Sequence, residues 1–497
     1  MSKETPTKGV ILLTASTVIV KFAGLLFKIP LTALLGESGM GYFNSAYTLF
    51  TWFYMVSTAG LPVAAAMMIS DARAHGNTAQ IKRVRNVSIV LFAILGIVGC
   101  GMMTVGAGFF ASLMRVEKSK LSMLAIAPTL IFICQSAALR GYFQGMGELV
   151  PHALSQLAEA AGKLFLGIGL AKYALGRGFS TEKAAAFAAL GLTIGVGAGM
   201  LVLYLSTFFV RLHKSPIESD SRTRILKNLV KVAIPITLSA GLSSLAGLSD
   251  GILMTRRLHD AGFSQNDAAA IWGNYSSLAL PMFNLPPVLI YPLAYALMPE
   301  LTSLLAAKKV SAAVERCRRA FSLTAAIAIP CAVGLCSLSE PILALFFDGG
   351  MAKRGAGMLT LLAPSSFLVC LFALTNTILQ SSKHVRDTLW AMAAGVAVKL
   401  VSAWFLIPTI GKSGTPISTF LCYFTAVAIS IARIESAGLG GALKLGDCVF
   451  WFFGAGAAVT AAILCVNPFG IVVAICAAGG IYALLCGSKM LKIVAEK

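Results

Sequence analysis

Charge is scarce in this chain. Asp, Glu, Lys and Arg make up 12% of its 497 residues, and only 20 residues are acidic. Soluble domains carry roughly a quarter charged residues, so a water-soluble fold is excluded. Cysteine motifs are missing as well: the eleven cysteines form no C-x-x-C and lie scattered in apolar runs. That excludes a disulfide framework and a zinc ribbon. No phosphate-binding loop is present, since Gly411-Lys412-Ser413 has Leu406 where the first glycine belongs. There is no H-E-x-x-H, and the five histidines lack ligand spacing. An enzyme, or a pump that hydrolyses ATP by itself, is not expected.

Apolar sequence is what the chain has in quantity. It is 57% hydrophobic with mean hydropathy +0.83, in runs long enough for bilayer-spanning helices and too long for barrel strands. The runs predict 14 transmembrane helices, near 9–36, 40–70, 86–114, 119–147, 150–175, 184–211, 229–257, 268–305, 320–347, 355–381, 387–410, 414–434, 446–466 and 468–490. The segment MSKETPTKG leads straight into the first run, so a first membrane helix is expected and not a removed signal. Helix 8 carries Pro281, Pro286, Pro287 and Pro292, a density that predicts a bend. The net charge of +20 sits mainly in short loops, which is a topology signal and not a nucleic-acid face. Basic loops after helices 2, 6 and 8 place both termini in the cytoplasm.

The chain also repeats itself. Residues 127–163 align without a gap on 363–399: Ala127 on Ala363, Pro128 on Pro364, Cys134 on Cys370, Gln144 on Gln380, Lys163 on Lys399. The fold class expected is thus all-α integral membrane, with two six-helix lobes as a parallel pseudo-twofold repeat and two extra C-terminal helices. The lobes are 1–212 and 232–434, joined by a basic linker at 213–231, with 435–497 forming the last two helices.

Charges inside such helices are costly and mark candidate sites. Lys21 and Lys28 share one face of helix 1; Gln156, Glu159 and Lys163 form a stripe on helix 5; Lys399 lies in helix 11. Arg140 ends helix 4, and Arg256 and Arg257 end helix 7. Glu159 and Lys163, one turn apart, can pair. Two readings of this cationic excess stay open: a wet cavity that attracts an anion, or helix–helix pairing and snorkelling. If the first holds, Lys163 and Lys399 face the cavity as a pseudo-symmetric pair. Asp250, Asn376 and Gln380 offer hard oxygen ligands for a small cation such as sodium, or serve as polar glue between helices.

Two stretches, RGYFQGMGELVPHALSQLAEAAGK (140–163) and FNLPPVLIYPLAYALMPEL (283–301), resemble the multidrug/oligosaccharidyl-lipid/polysaccharide exporter superfamily. The branch resembled is that of the stage V sporulation protein B and lipid II flippase-like polysaccharide biosynthesis proteins, over essentially the whole chain. The resemblance implies a flippase of the bacterial cytoplasmic membrane that moves an undecaprenyl-diphosphate-linked saccharide by alternating access, with lipid II as the expected cargo. It implies a cationic cavity facing the diphosphate, with Lys21 and Lys28 at or near basic positions of helix 1 and Lys163 where that branch often has arginine. No basic residue stands in WGNYSSLAL (272–280), where some lipid II flippases have an arginine. It implies no cofactor beyond a sodium ion or the membrane potential as driving force, and partners among cell-wall synthesis proteins. A groove for the lipid tail along helices 13 and 14 is expected. The competing readings are a cation-coupled multidrug exporter of the same fold and a non-transporting cell-wall scaffold.

Overall fold

Apolar and small residues recur at helical spacing along the chain, and the computed structural model is helical accordingly. It describes residues 6–210, 219–382, 384–441 and 445–495, among which no strand occurs. Ten helices there are long and apolar enough to cross a membrane, or eleven if a pair bent by 41° (265–283 with 285–294) is one span. The protein is a multi-pass membrane protein.

By contacts the chain falls into two compact units. The first, residues 1–259 with 263–273, holds α1 (Pro6–Thr58), α2 (Leu61–Ala74), α3 (Thr78–Leu113), α4 (Lys120–Ile126), α5 (Thr129–Gly145), α6 (Val150–Gly176), α7 (Thr181–Thr207), α8 (Arg222–Asp260) and most of α9 (Gln265–Asn274). The second, 260–262 with 274–497, holds α10 (Leu280–Phe283), α11 (Leu285–Ala306), α12 (Val310–Ser337), α13 (Ser339–Ala344), α14 (Gly349–Ser381), α15 (Val385–Ile410), α16 (Gly414–Ile434), α17 (Leu445–Phe469) and α18 (Ile471–Ala495).

Helix ends differ from the apolar runs for a physical reason. Hydropathy marks what lies in lipid, whereas backbone hydrogen bonding continues into water. Hence α12 starts at Val310 and includes the polar Glu315-Arg316-Cys317-Arg318-Arg319, ten residues before the apolar run near 320–347. Expected helices 1 and 2 are one continuous element to Thr58, broken only at Gly36 (φ 67°), a backbone conformation that strains any residue with a Cβ. The span near 119–147 is interrupted at Ala127–Pro128, between α4 and α5. The proline-rich run near 268–305 is bent, as its composition predicts, with a π-turn at Tyr275–Ala279 and a break at Asn284.

In the first unit α6 and α7 approach through glycines. A Cβ on Gly162 would meet the backbone of Gly195, one on Gly191 that of Gly167, and one on Gly199 the carbonyl of Ser155. Lipid supplies no hydrophobic drive between helices, so close backbone approach and dispersion hold the pair. The start of α8 is tied to α3. Gln80 donates to the Asp220 carboxylate (3.0 Å) and accepts from the Asp220 N–H (2.8 Å), and Arg83 donates to its carbonyl (3.0 Å). Nearer the middle of α8, the Gly60 N–H donates to Thr237 Oγ1 at 3.3 Å.

In the second unit α15 packs on α16 with Gly395 against the Cys422 carbonyl. The Gly411–Ser413 string that mimics part of a phosphate loop is a single 3-10 turn between them. Trp451 is buried on α17, and Tyr482 of α18 donates to the Ala326 carbonyl of α12 at 2.7 Å.

Candidate functional site

A polar stripe runs along α6 because His152, Ser155, Gln156, Glu159 and Lys163 recur at spacings of three and four. It faces Arg140 of α5 and an aromatic ladder on α1, built from Phe43, Tyr47, Phe50 and Tyr54 at the same spacing. Successive ring centres of that ladder lie 6.0, 6.1 and 6.2 Å apart. Between them is a cavity of about 210 Å³, lined by Tyr47, Phe50, Tyr54, Arg140, Glu159 and Lys163 with apolar neighbours.

Glu159 is paired, but not with Lys163. Its carboxylate accepts from Arg140 Nη2 at 2.9 Å, and the same nitrogen donates to Ser155 Oγ at 3.0 Å. The side chains are 14% and 30% exposed, so the charges are largely withdrawn from water and the pairing offsets that cost. Lys163 lies over two rings instead, its Nζ 5.0 Å from the centres of both Phe27 and Tyr47. Lys28, half-buried on α1, is close enough for its charge and that of Lys163 to repel. With Arg140 and Glu159 balanced, Lys163 leaves the cavity cationic.

The other sequence candidates fare differently. Lys21 lies on α1, but its side chain is outside the described residues. Gln156 accepts from Ser16 Oγ at 3.3 Å and has His152 Nε2 3.3 Å from its amide nitrogen. Arg256 and Arg257 are half-buried near the end of α8 and do not line this cavity. Lys399 is only 3% exposed, on the face of α15 that carries Gly395 and Ala403. The half-buried, ring-capped Lys163 and the buried Lys399 therefore sit in unlike surroundings. Asp250 is buried on α8 in the first unit; in the second, Gln380 donates to Asn376 Oδ1 at 2.9 Å. No group of three His, Cys, Asp or Glu side chains able to hold a metal occurs among the described residues.

Sequence reading missed the rings that seat Lys163, although the spacing of Tyr47, Phe50 and Tyr54 was a visible signal. It also gave His152 no role in the site. Chemically, the site presents a fixed guanidinium and ammonium groups to an anion, with aromatic faces alongside.

Comparison with known proteins places the chain. Residues 7–305 match the polysaccharide biosynthesis protein family. The chain belongs to that family. A solved multidrug transporter described as belonging to the MOP superfamily, in an inward-facing conformation, shares the fold, with TM-score 0.67 at 17% identity over 84% of this chain and 99% of the other. Residues 276–405 also match the MatE family. Stage V sporulation protein B of Bacillus subtilis (strain 168) is 28% identical over 330 residues, 65% of this chain and 63% of that protein. The alignment thus spans less than two thirds of that relative. Lipid II flippase MurJ of the same organism is 22% identical over 457 residues, 86% of this chain and 82% of that one. A solved lipid II flippase MurJ in an inward closed conformation shares the fold, with TM-score 0.72 at 13% identity over 97% of this chain and 100% of the other. These polysaccharide-family relatives are membrane proteins.

Proposed function

We propose that this family member is a flippase that carries an undecaprenyl-diphosphate-linked saccharide, specifically lipid II, across the cytoplasmic membrane by alternating access. The observation that carries the reading is the cationic, aromatic-lined cavity of α1, α5 and α6. A diphosphate leaves water at high cost, and charge-assisted contacts to Arg140, Lys163 and Lys28 would offset it. The lipid II flippase among its relatives supports the choice of cargo.

On this reading the chain crosses the membrane fourteen times. The 53-residue (22–74) and 54-residue (386–439) stretches each make two crossings, and α6 with the bent pair completes the count. The lobes are 1–212 and 232–434 and both termini are cytoplasmic. The exposed Phe452, Phe453, Leu464 and Leu484 of α17 and α18 offer an apolar surface for the polyprenyl tail. The driving force is sodium or the membrane potential. The sodium version rests on the residue types of Asp250, Asn376 and Gln380 alone.

Labelled lipid II in proteoliposomes tests the proposal. Wild type should flip it, and Lys163→Met should slow flipping by about tenfold or more, the worth of one charge-assisted contact. Unchanged flipping in well-folded Lys163→Met and Lys28→Met would remove the cavity from the mechanism. The MatE match over 276–405 favours a second reading, a cation-coupled multidrug exporter. Uptake of a cationic dye without lipid II flipping would select it, whereas neither activity would point to a scaffold.

A further inference from the structure

His152 lies one turn from Gln156 and two from Glu159, on the stripe that borders the cavity, yet the proposed function leaves it without a role. Its ring is half-buried, and Nδ1 is fully buried with no hydrogen-bond partner among the described residues. Its other nitrogen, Nε2, is 3.3 Å from the amide nitrogen of Gln156. In that arrangement Gln156 donates, Nε2 accepts, and the ring is neutral with its proton on the unpartnered Nδ1.

The network around the ring can reverse. Ser16 Oγ faces the Gln156 carbonyl oxygen at 3.3 Å, and a hydroxyl either donates or accepts. Turning the Gln156 amide over would present its oxygen to Nε2 and its NH₂ to Ser16. A protonated ring, which donates from both nitrogens, would then be accommodated. The charged groups near it are Arg140 from α5, whose charge is close enough to interact with the ring, and Glu159 on its own helix. Tyr54 of α1 interacts with both of those. From α7, Gly199 packs against Ser155 and Glu159. Lys21 stands on α1 beyond Ser16, its side chain outside the described residues.

We propose that His152 is a proton-binding residue, positioned through Gln156 and Ser16, whose protonation accompanies the binding of an anionic headgroup in the Arg140–Lys163 cavity. The physical reason is charge balance. Without an anion, a proton on His152 adds a further positive charge to a site that already holds Lys163 beside the balanced Arg140–Glu159 pair. A diphosphate reverses that balance, so anion and proton favour each other's binding reciprocally. His152 is a positioning and charge-setting residue here, and this role rests on the proposed anionic cargo.

Calorimetry with geranylgeranyl diphosphate and the detergent-purified full chain, in two buffers of different ionisation heat, counts the protons taken up per ligand bound. Wild type should take up close to one. His152→Gln should bind with uptake near zero and affinity lower by about tenfold, the order of one nearby charge in a partly wet site. Glu159→Gln should retain the uptake, which separates the imidazole from the carboxylate as the group that titrates. Binding without uptake in wild type, or uptake that survives in His152→Gln, overturns this role alone and leaves the anionic cavity standing. No diphosphate binding at all overturns the role together with the reading it rests on.

Discussion

Arg140 and Glu159 show how one contact settles several side chains. Because the carboxylate is taken by the guanidinium of a neighbouring helix, Lys163 is left to the rings of Phe27 and Tyr47. Cation–π contacts of this kind contribute about 0.5–2 kcal/mol when partly desolvated. Arg140→Ala strands a partly buried carboxylate and should lower stability by about 2–4 kcal/mol. Adding Glu159→Ala should recover part of that loss, since no charge is then left unpaired. Thermal unfolding in detergent of the two single variants and the double checks it. Additive losses would mean that the pair is not coupled. Which lysine pairs with which acid was not legible in the sequence. The i, i+4 spacing of Glu159 and Lys163 allowed a bond that the cross-helix arginine takes instead.

At the scale of elements, small residues decide which helices meet. Gly195→Leu should abolish the folded protein, because its side chain would enter the backbone of α6 at Gly162; overpacking at a glycine contact forces whole helices apart. Gly169→Leu on α6, with nothing within 4 Å of its Cβ position, should be tolerated. Size-exclusion profiles of fluorescent fusions compare the two directly. A second element-level expectation concerns the Gln80–Asp220 tie between α3 and α8. Gln80→Ala removes two hydrogen bonds, about 1–3 kcal/mol locally. Trypsin should then cut after Arg222 and Arg224 faster than in wild type, with global stability little changed. The bend in the run near 268–305 was readable from its prolines, and the helix break at Pro128 follows from the same missing N–H. The lengths of α1 and α12 were not, since an apolar run ends where lipid ends and a helix ends where its hydrogen bonds do.

For the whole molecule, the basic loops predict cytoplasmic termini. A fluorescent protein fused after Lys497 should glow, and alkaline phosphatase at the same place should be inactive. The opposite pair of results would invert the topology and put the proposed direction of transport in reverse. The two copies of the repeat illustrate what inheritance of sequence does not preserve. Residues 127–163 run from the helix break at Pro128 through α5 into α6, and residues 363–399 from Pro364 in α14 into α15. Yet Lys163 borders a cavity while Lys399 is 3% exposed. A matched register places two residues at equivalent helix positions. What surrounds them depends on side chains contributed by other helices.

The sequence by itself determined that this is an all-helical membrane protein with a cationic excess and a site stripe on one helix. Those features follow from composition and from the 3.6-residue period, both of which are local. Only the tertiary structure decided that Arg140 takes Glu159, that aromatic rings of α1 hold Lys163, and that glycines bring α6 onto α7. Helical periodicity says which residues share a face; it does not say which neighbouring helix that face will meet.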